Sequence, residues 1–175
     1  VEDVCTKMDD LQFMEYCYTN FDVNGDSKVS MSEANAVQEI ECHTASSFTG
    51  IGYFSNLRGF RSASVKSVNL GYNKGLMSLD CSGSPVKVLD LRYNTQLSDI
   101  DVSQCTGLTK LLLAAEAPIT AVGVGNGDPD YGNIGGCTSL EAVSLPDACT
   151  VIGDSAFKGC SSLCKIRFPE ALYYI

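Results

Sequence analysis

The chain has 175 residues, of which 45% are hydrophobic and 19% charged, and a formal net charge of −9. This is the composition of a folded protein, and without a cluster of Lys or Arg the acidic background excludes a role built on phosphate contacts, so no nucleic acid partner is expected. The longest apolar run, Leu111 to Ala115, falls far short of the roughly 20 residues needed to cross a bilayer, so no membrane span is expected.

Residues 1–39 carry no repeat. Leu11, Met14, Tyr18 and Phe21 are spaced at 3, 4 and 3, which predicts an amphipathic helix within Met8 to Phe21, and a second helical stretch runs from Glu33 to about Glu39. Between them lies Asp22-Val-Asn24-Gly-Asp26-Ser-Lys28-Val29-Ser30-Met-Ser-Glu33. Oxygen-bearing side chains stand at loop positions 1, 3, 5, 9 and 12, and Lys28 at position 7 offers its backbone carbonyl. Calcium takes about six to eight hard oxygen ligands, which such a loop can supply. The segment resembles an EF-hand, and its D-V-N-G-D wording is similar to the loop of dockerin modules. That resemblance implies a structural Ca2+ held by Asp22, Asn24, Asp26, Lys28, Ser30 and Glu33. Position 6, usually Gly, is Ser27, at a cost of about 1 kcal/mol. Only one such loop is present, so cohesin docking is not expected. The competing reading is a solvated acidic turn that binds nothing.

From residue 40 onward the chain is periodic. Leu76-x-x-Leu79-x-Cys81, Val86-x-x-Leu89-x-Leu91-x-x-Asn94, Leu97-x-x-Ile100-x-Val102 and Leu108-x-x-Leu111-x-Leu113 follow one another. One series passes through Ile40, Phe60, Leu79, Ile100 and Val122. A second passes through Val68, Leu89, Leu111, Val143 and Ile166. A period near 21 carrying L-x-x-L-x-L predicts one solenoid coil per repeat, with short strands whose alternate side chains point inward. Asn73 and Asn94 fall where such coils turn, and their amides are expected to bond the neighbouring coil. A solenoid exposes an apolar end unless something polar closes it, and the two helices, with Leu11, Met14, Val37 and Ile40 inward, could close the first coil.

The last third aligns with itself at a spacing of 23: Cys137-Thr-Ser-Leu140-x-x-Val143-x-Leu145-Pro146 with Cys160-Ser-Ser-Leu163-x-x-Ile166-x-Phe168-Pro169. With Ile152-Gly-Asp-Ser-Ala156-Phe157-Lys-Gly159-Cys160, this string resembles the BspA-type leucine-rich repeat of bacterial surface proteins. Leu79-Asp80-Cys81-Ser82 and Ile100-Asp101-Val102-Ser103 resemble the related L-D-C-S and L-D-V-S repeats of secreted gut-bacterial proteins. The fold implied is an α/β repeat: a leucine-rich-repeat solenoid over 40–175, BspA-type from about 137, with a small two-helix EF-hand-like cap over 1–39.

Nine cysteines are an odd number. Cys42, Cys81, Cys137 and Cys160 fall at inward repeat positions and Cys105 in an Asn slot, where burial as free thiols is expected. Cys5 with Cys17, and Cys149 with Cys164, could instead form disulfides. There is no C-x-x-C pair and no zinc site is expected. The single histidine, His43, has no nucleophile in a catalytic context, so no enzyme is expected. Residues 125–136 lengthen one step of the second series to 32, and Asp128, Asp130 and Tyr131 within that loop are candidate partner contacts. At the carboxyl end, Tyr173, Tyr174 and Ile175 cover the last coil, or the array continues, or two molecules meet end to end. The resemblance implies an extracellular or outer cell-surface protein, its leader removed, that binds a protein or glycan; the alternative is a structural spacer.

Overall fold

The computed structural model describes residues 2–124 and 132–175. Two helices, α1 (Leu11–Phe21) and α2 (Met31–Ala36), precede ten short strands: β1 (Glu39–Glu41), β2 (Gly59–Arg61), β3 (Ser78–Asp80), β4 (Val88–Leu91), β5 (Asp99–Asp101), β6 (Lys110–Leu113), β7 (Ala121–Val122), β8 (Ala142–Ser144), β9 (Val151–Ile152) and β10 (Lys165–Arg167).

All strand pairs are parallel, as coils of one hand require. The first sheet runs β1-β2-β3-β5 and the second β4-β6-β8-β10. Their registers follow the two sequence series: Ile40, Phe60, Leu79 and Ile100 are partners in one, and Leu89 pairs with Leu111 and Val143 with Ile166 in the other. Strands β1, β3, β5 and β8 each bury the central residue and turn the flanks outward. One coil cannot bury that edge alone; neighbours about 4.8 Å away complete it.

Two steps of the series differ from expectation. Val122 leaves the first sheet and pairs with Ile152 in a third, two-stranded sheet. In its place Asn133 continues the first face, its carbonyl accepting the Val102 N–H at 2.8 Å. A third strand thus enters the coils at β7. Val68 lies outside any strand, and that step is held by an isolated bridge between Ser47 and Ser67.

The corners are closed by side chains that donate to the preceding coil. Asn73 Nδ2 donates to the Ile51 and Phe54 carbonyls, and Asn94 Nδ2 to those of Leu70 and Asn73, all at 2.9–3.0 Å. Because every partner is a carbonyl, the amide nitrogen must face it, which leaves both buried Oδ1 atoms without a partner. At another corner Ser84 Oγ, Cys105 Sγ, Cys137 Sγ and Cys160 Sγ donate in turn to the carbonyls of Ser62, Cys81, Val102 and Ile134, at 2.9–3.2 Å. These cysteines serve as donors as well as apolar filling.

The helices dock on the first coil through aromatic rings. Phe13 of α1 lies 5.0 Å from Phe48 and 6.3 Å from Phe54, Phe21 lies 5.5 Å from Phe54, and Phe48 continues to Phe60 at 4.9 Å. The buried stripe of α1 is thus Phe13 and Cys17, four residues apart; Leu11, expected inward, is 76% exposed. Asp10 explains the rotation. One of its oxygens caps α1 by accepting the N–H groups of Gln12 and Phe13, while the other accepts those of Ser46 and Ser47 in the first coil. Burial opposes the charge of Asp10, but these four donors outweigh it and hold its pKa down at about 2. The second helix starts at Met31 because Ser30 and Glu33 form a reciprocal capping box. Val37 and Ile40 are buried as expected, and Met14 is partly so.

Candidate functional site

The loop between the helices folds around its own oxygens. Asp22 Oδ1 accepts the N–H groups of Gly25 (2.8 Å) and Asp26 (3.2 Å), and Oδ2 accepts that of Ser27 (2.9 Å). Asn24 Oδ1 accepts from Asp26 N–H and Asp26 Oδ1 from Lys28 N–H, each bridging two residues on. Ser27 takes the left-handed turn usually given to Gly, at φ 63°, after Gly25 at φ 73°. Val29 at position 8 is fully buried, and both of its backbone groups are tied: Val4 N–H donates to its carbonyl, and its own N–H donates to Asp3. The amino-terminal segment thereby braces the loop.

Glu33 is used differently from the other sequence-assigned ligands. One oxygen accepts from Ser30 N–H and Oγ–H (2.8 and 2.7 Å), and the other from Val23 and Asn24 N–H. These bonds, those of Ser30 first, lower its pKa. Among the described residues no three carboxylate, thiol or imidazole groups form a ready cluster. The donor chemistry fits calcium: carboxylates and an amide oxygen on a loop that already makes the required left-handed turn. A cation would compete with four N–H and O–H donors for the oxygens of Glu33.

The outward strand positions form two faces of unlike charge. The first sheet presents Glu39, Glu41, Asp80, Asp99 and Asp101 with Arg61, which pairs with Asp80 at 3.3 Å. The second presents Lys110, Lys165 and Arg167 with Asp90. Arg92, just after β4, folds back on Asp90 at 2.7 Å. His43, at the edge of the first face, is structural. Its Nδ1 accepts the Ala63 N–H of the next coil, which leaves the ring proton on Nε2, 3.1 Å from Glu41.

Asp128, Asp130 and Tyr131 lie outside the described residues. A feature not drawn from the sequence is a groove of about 620 Å³ on the first coils, lined by Thr49, Ser67, Asn69, Tyr53 and Tyr72 among others. The signal was available: Tyr53, Tyr72 and Tyr93 recur at coil spacing, two of them after a Gly.

All nine thiols are free. Cys17 is buried and its pKa is raised well above the usual range, first by a hydrogen bond with Cys5 and then by burial. Cys5 and Cys17 are therefore neighbours, as a bridge would need. Cys149 is buried whereas Cys164 is exposed, and their sulfurs bond different carbonyls, those of Val151 and Glu141.

Comparison with known proteins bears on the coils. Residues 134–175 match the family model of the BspA type leucine rich repeat region. No curated protein matches the sequence. Among solved structures, the functional domain of InlJ from Listeria monocytogenes, which includes a cysteine ladder, is 16% identical with a TM-score of 0.54. The match covers 86% of this chain and 37% of that one. A leucine-rich repeat protein from Bacteroides ovatus is 21% identical with a TM-score of 0.46, covering 80% of this chain and 39% of that one. An internalin, inlF, from Listeria monocytogenes is 15% identical with a TM-score of 0.46, covering 93% and 57%. The chain thus spans less than two thirds of the length of each of these structures. Its stacked parallel coils, the repeat-region match and the likeness to the InlJ domain establish the fold as a leucine-rich-repeat solenoid with a small helical cap.

Proposed function

We propose that this chain is a binding module of an extracellular or outer cell-surface protein, taking a protein or glycan partner on its solenoid. The observation that carries this reading is the pair of ordered strand faces. Side chains held at fixed strand spacing, acidic on one face and basic on the other, form a preorganised surface that loses little entropy on binding. The match of residues 134–175 to the BspA type leucine rich repeat region supports it. Immobilised matrix proteins and polysaccharides, probed with wild type and with an Asp99→Lys/Asp101→Lys double variant, test the reading. Retention of at least one ligand by wild type supports it, and retention of none sinks it. A structural spacer segment of a larger secreted protein is the second reading, favoured by the like-on-like stacking that holds successive coils in fixed register.

The cap loop, in this reading, holds a structural Ca2+ through Asp22, Asn24, Asp26, Ser30, Glu33 and the Lys28 carbonyl. Bound there, the ion supplies positive charge that neutralises the crowded carboxylates and stiffens the link between α1 and α2. Calorimetry with calcium chloride should show heat in wild type and none in Asp22→Ala. Ser27→Gly should tighten binding about fivefold, since the left-handed turn costs a serine about 1 kcal/mol more than glycine. Absence of heat in wild type would remove the metal from the account.

A further inference from the structure

Tyr53, Tyr72 and Tyr93 occupy equivalent places in three successive coils, each one residue before the corner residue Phe54, Asn73 or Asn94. Tyr72 and Tyr93 are 74% and 60% exposed, an unusual state for two large rings on neighbouring coils. They are not loose. A Cβ on Gly52 would stand 3.2 Å from Tyr72 Cβ and 3.3 Å from its Cδ2, and one on Gly71 would stand 3.6 Å from Tyr93 Cδ2. Glycine at 52 lets the Tyr72 ring settle on the coil before it, and the Tyr93 ring lies at van der Waals distance from the Gly71 position. With coils about 4.8 Å apart, the three positions make a strip roughly 10 Å long.

The groove runs beside this strip, and its lining holds no charged side chain: Thr49, Ser67 and Asn69 supply hydroxyl and amide groups, and Tyr53 and Tyr72 supply aromatic surface. Asn69 Oδ1 is occupied by the Gly71 N–H at 3.0 Å, while its NH2 has no partner among the described residues. The three tyrosine hydroxyls likewise have no partner among the described residues. This is a specific combination: flat apolar rings, held in place, bordered by neutral groups that can both donate and accept.

From this we infer that the strip and groove bind a neutral oligosaccharide; the inference rests on the binding-module reading and names its ligand class. A pyranose presents an apolar C–H face and a rim of hydroxyls. The rings take the face and the Thr, Ser and Asn groups take the rim. An anionic glycan would meet no cation in the lining and a chain of net charge −9. A protein partner would bring a polar and charged rim, and this lining offers no charged side chain to meet it.

The test is affinity electrophoresis of the whole chain through gels containing xylan, mixed-linkage glucan, galactomannan or soluble chitin oligomers, followed by calorimetry on any that retards it. Immobilised matrix proteins form a parallel arm. Retardation by at least one neutral glycan is expected. Tyr72→Ala and Tyr93→Ala should each weaken binding about tenfold, while Tyr72→Phe stays within about threefold, because the ring supplies most of the contact. Both positions are exposed, so far-UV circular dichroism should be unchanged. Gly52→Val, which forces the Tyr72 ring off its seat, should weaken binding without removing an aromatic. Binding of no neutral glycan overturns the inference, as does glycan binding unaltered in both alanine variants. A matrix protein retained when no glycan is bound leaves the broader reading standing and removes this one. Failure in both arms removes both.

Discussion

The cap meets the first coil in one way, and each coil meets the next in another. At the cap, a cluster of phenylalanines interlocks at 4.9–6.3 Å and the Asp10 carboxylate clasps both sides. Between coils, like residues stack on like, Ile40 on Phe60 on Leu79 on Ile100, and an amide, hydroxyl or thiol in each corner donates to the coil before. The first junction is made once and depends on shape. The second is repeated, so each rung contributes little and its loss is shared by its neighbours. Removing residues from each tests how far this difference extends.

The largest expected effect lies at the cap. Phe48 is fully buried and touches rings on both sides, Phe13 of α1 and Phe60 of the second coil. Phe48→Ala should destabilise by about 3–5 kcal/mol, through lost burial and the cavity left behind. Hydrogen exchange should show amides of 11–37 losing protection before those of the central coils. Simultaneous loss across the chain would mean that cap and coils unfold as one unit and would break the contrast.

Next comes a corner. Asn94→Ala removes the donor to the Leu70 and Asn73 carbonyls, both buried. Leaving two acceptors unpaired should cost about 2–3 kcal/mol by urea denaturation, reduced because the orphaned Asn94 Oδ1 leaves with the side chain. A cost equal to that of Phe48→Ala would show that a single rung governs the stack.

These two sites also mark what was legible in the sequence. The coil register was readable because an apolar period near 21 has few other solutions, and the Asn corners followed from it. The inward face of the cap departs from the reading at one residue, Leu11. Leu11 obeys the helical spacing, but the clasp at Asp10 depends on Ser46 and Ser47, more than 30 residues away, and local periodicity carries no trace of it. The third sheet was missed for a related reason: Val122 continues the numerical series, and only its pairing with Ile152 reveals a different edge. The loop ligands follow from spacing and from the EF-hand resemblance, and neither carries the engagement of Glu33 with Val23 and Asn24.

Asp10 gives a smaller effect with a distinctive pH signature. Its pKa is lowered to about 2 in the folded chain, so the stability it contributes is present above its unfolded value near 3.8 and fades as pH falls through 2. Asp3 and Glu33 are lowered too and shift the balance in the same direction. Asp10→Ala should cost about 1–2 kcal/mol at neutral pH, a typical cap loss, and should flatten part of the decline between pH 4 and 2. An unchanged acid profile would mean that the clasp does not hold the cap.

The smallest expected effect distinguishes the two kinds of rung. Cys105 is fully buried, and burial pushes its thiol up to about 11, so it stays protonated and donates to the Cys81 carbonyl at 3.1 Å. One coil earlier, Ser84 fills the same rung and donates to the Ser62 carbonyl at 2.9 Å. Cys105→Ser should therefore keep the rung with the stronger hydroxyl donor while giving up some apolar contact, and the net change should stay within about 1 kcal/mol. Cys105→Ala, which deletes the donor, should cost more than the serine variant. Burial raises the pKa of Cys81, Cys137 and Cys149 as well, whereas Cys164 is exposed. Iodoacetamide on the native chain should accordingly modify Cys164 first and leave the ladder thiols intact until unfolding. If Cys105→Ser proved as costly as Cys105→Ala, the thiol would be acting by its volume alone, and this corner of the coils would be an apolar seam with no ladder of donors.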